Sequence, residues 1–80
     1  MKYCVKATTQ VFAWVHHPYE DADPNPAHTL LTQKQVIYDD ADLLNPGPGA
    51  DPHYFYFRLP PNPTNYRYLA VKKHDVTKMP

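Results

Sequence analysis

Ten prolines in a chain of 80 residues constrain this sequence more than any other feature, because of where they fall. Pro18, Pro24 and Pro26 form one cluster, Pro46, Pro48 and Pro52 a second, and Pro60, Pro61 and Pro63 a third. Proline has no backbone donor and is excluded from the interior of a sheet, so each cluster predicts a loop. What remains is a set of short runs rich in β-branched and aromatic residues, which predicts an all-β domain occupying residues 1–80 as one unit.

The first two runs cover residues 3–7 and 11–15, joined through Thr8, Thr9 and Gln10 into one long bent strand. Val11-Phe12-Ala13-Trp14-Val15 is apolar throughout, which suits a strand buried on both faces or at a barrel corner. Residues 30–38 fit either period. Leu30, Leu31, Lys34, Ile37 and Tyr38 would share a helical face, whereas Val36-Ile37-Tyr38 favours a strand. The alternative fold is therefore α+β, an antiparallel sheet with one short helix near 29–38.

The clearest alternation lies in Tyr54-Phe55-Tyr56-Phe57-Arg58-Leu59. It sets Phe55, Phe57 and Leu59 on one face and Tyr54, Tyr56 and Arg58 on the other. Residues 66–71 repeat the arrangement, with Leu69 and Val71 inward and Tyr66 and Tyr68 outward, so a hairpin closed by residues 60–65 is expected. Asp75 is placed to cap a single turn over 75–78. Five short strands with long proline-rich loops predict a small barrel, whose closure would remove exposed sheet edges.

The order of these features resembles a bacterial SH3-like domain: a first strand, a proline-interrupted loop, Lys34-Gln35-Val36-Ile37-Tyr38, an aromatic hairpin, and the ending Ala70, Val71, Asp75, Val76. The likeness would span nearly the whole chain, with Leu69-Ala70-Val71 standing where that family usually has Gly-Trp-Val. It implies a five-stranded barrel that binds peptides, cell-wall fragments or protein partners.

Composition excludes many chemistries. Serine is absent, which removes Ser-nucleophile mechanisms, and the single Glu20 removes His-Glu-x-x-His metalloprotease chemistry. Gly47 and Gly49, flanked by prolines, cannot build a phosphate-cradling loop. Cys4 alone can form neither an internal disulfide nor a multi-Cys zinc site, and it reads as a half-buried structural thiol. No apolar run approaches the ~20 residues that span a bilayer, and the first residues carry no signal-peptide pattern, so a cytoplasmic setting without membrane association is expected.

Charge sums to zero but is uneven: residues 20–51 carry seven acids against Lys34, whereas 52–80 carry five bases against Asp75. Either the two ends make a basic side facing an acidic rim, or the acids collect in turns, where Asp is favoured. Of the histidines, His16 or His17 could join His28, His53 or Asp21 in a three-ligand metal site; solvated loop histidines are the other reading. Asp21-Ala22-Asp23 mimics half of a calcium loop but has Pro26 at the glycine position. Pro60-Pro61-Asn62-Pro63 either presents a polyproline II segment or stiffens the hairpin loop.

The strongest functional lead is the outward face of the hairpin. Tyr54, Tyr56, Tyr66 and Tyr68 with Arg58, joined by Trp14, would offer flat apolar area beside a guanidinium. Such a face suits a protein or peptide partner, or single-stranded nucleic acid, for which the neutral net charge is unfavourable. The competing reading makes these rings a second apolar cluster beneath a loop. The expectation is a non-catalytic interaction module without cofactor.

Overall fold

The computed structural model describes residues 1–15, 28–45, 51–61, 63 and 65–80. They form seven strands: β1 Lys2–Val5, β2 Gln10–Trp14, β3 His28–Leu31, β4 Val36–Asp39, β5 Tyr54–Arg58, β6 Tyr68–Lys72 and β7 Val76–Met79. All pairings are antiparallel, in a three-stranded sheet ordered β4-β1-β7 and a four-stranded sheet ordered β3-β2-β6-β5. The all-β expectation holds, and the helix near 29–38 is not formed.

Seven strands replace the expected five because long strands are bent. Residue 2 faces 39 in the first sheet and residue 10 faces 31 in the second, so a single register runs through both halves of one ribbon. Residues 6–9 and 32–35 span the corner, which divides the expected 30–38 strand into β3 and β4. Threonines fix that corner. The Thr8 N–H donates to the Thr32 carbonyl at 2.7 Å and the Thr32 N–H donates to the Thr9 carbonyl at 3.0 Å. The Thr32 hydroxyl accepts the Thr9 N–H at 3.1 Å and donates to the Lys6 carbonyl at 2.9 Å. Thr8 itself sits at φ 65°, a strained position for a β-branched residue.

A second bend faces the first. β6 pairs β2 and β7 pairs β1, with a 3-10 turn over Lys73–Asp75 between them. Residue 12 faces 70 whereas residue 5 faces 76, so three residues turn this corner against four on the partner, a bulge that increases the bend. The expected capped turn over 75–78 is corrected here: Asp75 ends the 3-10 turn, and Val76 begins a strand that completes the smaller sheet.

The two inner faces make the core. Val5, Ala13, Phe57 and Val71 are fully buried, with Tyr3, Val11, Tyr38 and Leu69 around them. Each of the valine, leucine and phenylalanine side chains withdrawn from water contributes ~1.5–3 kcal/mol. Phe57 is the centre: Tyr38 stacks on it at 4.5 Å and 11°, and the rings of Tyr3 and Phe55 lie at 5.6 and 6.1 Å. Burial, and secondarily the charge of Asp42, push the Tyr38 hydroxyl up to about 12. Among the described residues, the two sheets are joined on the β5 side by the bridge Leu43↔Phe57 and by the Leu44 N–H donating to the Tyr56 carbonyl at 2.8 Å.

Candidate binding face

The outer face of the larger sheet carries the aromatic residues that the core does not use. β2 alternates, Val11 and Ala13 pointing in and Phe12 and Trp14 out, so this strand is not buried on both faces as its composition suggested. Register then aligns three strands. Trp14 faces Tyr68, which faces Arg58; Phe12 faces Ala70, which faces Tyr56; and Lys72 faces Tyr54. Trp14, Tyr68 and Arg58 thus form a row about 10 Å across, set by two interstrand spacings.

Ala70 explains how the rings meet. It is 1% exposed and lies in the middle strand between Phe12 and Tyr56. Its single methyl leaves the space above β6 open, so Phe12 from β2 reaches Tyr54 from β5, edge to face at 5.8 Å and 73°. Trp14 lies 6.5 Å from Phe12, and Tyr56 lies 6.4 Å from Tyr54. The face is a continuous aromatic surface with Arg58 and Lys72 exposed at its margins.

The expected site residues do not share one role. Trp14, Tyr54 and Tyr68 are half-buried on this face and Arg58 is exposed. Tyr56 is not an exposed contact: it is 4% accessible, and its hydroxyl accepts the Asp51 N–H at 3.2 Å. The Asp51 carboxylate in turn accepts the His53 N–H at 2.8 Å, folding a turn over the edge of β5. Tyr66 lies outside β6 and packs against the core, because the chain leaves the strand alternation before residue 68. Asn65 at φ 62° is where it turns.

Two residues of the face were not singled out by sequence. Phe12 was hidden in an all-apolar run, and Lys72 lies just beyond the expected hairpin strand. Beside the face, sharing Arg58, is a groove of about 550 Å³ between the edge of β4 and the segment Leu59–Pro61. At the other end of β5, the Lys73 and Lys78 ammonium groups lie 5.2 and 5.4 Å from the Phe55 ring centre.

Asp40 lies away from this face. Hydrogen bonds from the Met1 amino group, at 3.0 Å, and from the Tyr3 hydroxyl lower its carboxyl, while that same bond raises the Tyr3 hydroxyl.

Among the described residues no group of three or more His, Cys, Asp or Glu side chains converges to hold a metal. His53 is exposed, and the exposed His74 Nε2 lies 3.4 Å from the Asp75 carboxylate. The expected metal contributions of His16, His17 and Asp21, the half calcium loop and the first proline cluster lie outside the described residues, as does the His28 side chain. Cys4 is half-buried and in no disulfide. No described helix is long and apolar enough to cross a membrane. No family model, curated protein or solved structure matches the chain.

Proposed function

We propose that the protein is a non-catalytic interaction module that binds an extended peptide segment of a protein partner across the outer face of β2, β6 and β5. The observation that carries this reading is the row Trp14–Tyr68–Arg58 beside Phe12 and Tyr54, a surface of rings left over after both inner faces have filled the core. Rings bury large apolar area at small entropic cost, and a guanidinium at the margin orients peptide carbonyls or carboxylates. The finer SH3-like reading of the fold is part of this proposal. It is supported by the bent strands, the 3-10 turn before β7 and the Leu43↔Phe57 bridge between sheets.

Single-stranded nucleic acid is the second reading, favoured by Arg58 and Lys72 flanking the rings on the same face. One experiment separates the two. An array of extended decapeptides and a labelled oligothymidine are titrated against the wild type, Trp14→Ala and Tyr68→Ala, with circular dichroism verifying the fold. Peptide binding that weakens ~30-fold in either variant, a cost of ~2 kcal/mol, supports the proposal. Oligothymidine binding that collapses with salt, without peptide binding, replaces it by the second reading.

A further inference from the structure

We infer that the free edge of β4 accepts an added β-strand from an extended acidic peptide. β4 ends the smaller sheet, so one side of its backbone pairs with β1 and, among the described residues, the other side pairs with no strand. Hydrogen bonding identifies which groups face outward. The Asp39 N–H donates to the Asp42 carboxylate at 3.0 Å and is therefore turned away from β1. Alternation of an antiparallel ladder turns the Ile37 N–H and carbonyl the same way, while Val36 and Tyr38 bond Val5 and Tyr3. Ile37 thus presents a donor and an acceptor at the edge, spaced to exchange both bonds with one residue of an incoming strand.

The surroundings state what that strand should carry. The groove of about 550 Å³ runs along Val36–Tyr38 and is walled by the apolar surfaces of Leu59, Pro60 and Pro61. The Ile37 side chain is 47% exposed beside it. Arg58 and Arg67 line the same groove, and among the described residues neither pairs with a carboxylate. Asp42 is the one acid in the lining, and its carboxylate is already engaged by the Asp39 N–H. Two unpaired guanidinium groups along an apolar wall fit a strand with acidic residues on one side and aliphatic residues on the other. The ring nitrogens of Pro60 and Pro61 carry no hydrogen, so neither donates to the outward Ile37 carbonyl. This surface lies next to the aromatic face but uses backbone bonding and charge, which the face does not need.

The test uses a fluorescein-labelled peptide of alternating Glu and Val, about eight residues long, read by fluorescence anisotropy. Three control peptides accompany it: Gln for Glu, Lys for Glu, and N-methylation at alternate residues to remove strand donors. The inference predicts that the Glu/Val peptide binds and that each control binds at least ~10-fold more weakly, one lost charge-assisted or backbone bond being worth about that factor. The Arg58→Gln/Arg67→Gln double variant weakens the Glu/Val peptide to the same extent. So does Ile37→Pro, which removes the outward N–H and leaves the β1 bonds in place. Thr77→Ala, an exposed position on β7 that belongs to neither surface, leaves it unchanged. Undetectable binding of the Glu/Val peptide overturns the inference. So does equal binding of the N-methylated peptide, because the contact is then charge alone. Self-association that competes with the peptide and is abolished by Ile37→Pro also overturns it, assigning the edge to a second copy of the chain.

Discussion

Tyr56 separates core from surface among the tyrosines, and its substitution gives the sharpest stability prediction. The ring is 4% exposed on the outer face, held against Tyr54 and beneath the turn whose Asp51 N–H its hydroxyl accepts at 3.2 Å. Removing a buried aromatic ring leaves a cavity as well as losing transfer energy, and costs ~3–5 kcal/mol. Asp51 is exposed, so part of the cost is relieved by water entering under the turn, and the low end, ~3 kcal/mol, applies to Tyr56→Ala. For a domain of this size that lowers Tm by about 12–24 °C. Tyr56→Phe keeps the ring and releases one N–H that water can reach, so its cost is ~0.5–1 kcal/mol. Urea unfolding followed by far-ultraviolet circular dichroism measures both, with equal slopes showing that the unfolded state is unchanged. If Tyr56→Ala stays within ~0.5 kcal/mol of the wild type, as a surface substitution does, the assignment of this ring to the structure is refuted.

Three further perturbations test the fold. Tyr38 ionises at about 12 rather than 10.0, so the unfolded chain releases its proton first as pH rises. Stability is therefore complete below pH 10 and falls between pH 10 and about 12, by ~2 kcal/mol after solvent screening; the raised Tyr3 hydroxyl acts in the same direction. Denaturation midpoints across that range, with phenolate absorbance, measure it; a midpoint independent of pH there contradicts the burial of Tyr38. Thr32→Val deletes the hydroxyl that bonds both the Thr9 N–H and the Lys6 carbonyl at the ribbon corner. It should cost ~1–2 kcal/mol and accelerate exchange of the Thr9 amide; unchanged exchange would remove the corner's pinning role. Ala70→Leu fills the space through which Phe12 and Tyr54 meet and should destabilise by ~1–3 kcal/mol, with loss of near-ultraviolet aromatic dichroism.

What the sequence made legible follows from how locally each feature is determined. Alternation in Tyr54–Arg58 places Phe57 inward, because a strand's two faces are fixed by period alone. The corners were not legible as such. A ribbon bends at 6–9 and 32–35 through hydrogen bonds between residues more than twenty positions apart, and no local pattern announces Thr32 as the partner of Thr9. The same limit hides β7: residues 76–79 look like a turn until β1 lies beside them. Tyr56 and Tyr68 have the same alternation signature, yet Tyr56 is buried, with its hydroxyl bonded to the turn at Asp51, and Tyr68 is half-buried. Tyr66 turned inward because the strand begins two residues later than its aromatic pattern suggests. The groove beside β4 was invisible for a related reason, since Ile37 and Arg67 meet only through the packing of two sheets.

Trp14 is the chain's single tryptophan and lies in the proposed binding row, so it reports on that row directly. Its emission can be followed while the tightest peptide from the array is titrated into the wild type and into Tyr68→Ala. Binding across the outer face of β2, β6 and β5 predicts a saturable shift of Trp14 emission to shorter wavelength, with Tyr68→Ala requiring ~30-fold more peptide. Saturable peptide binding by anisotropy with Trp14 emission unmoved would contradict it.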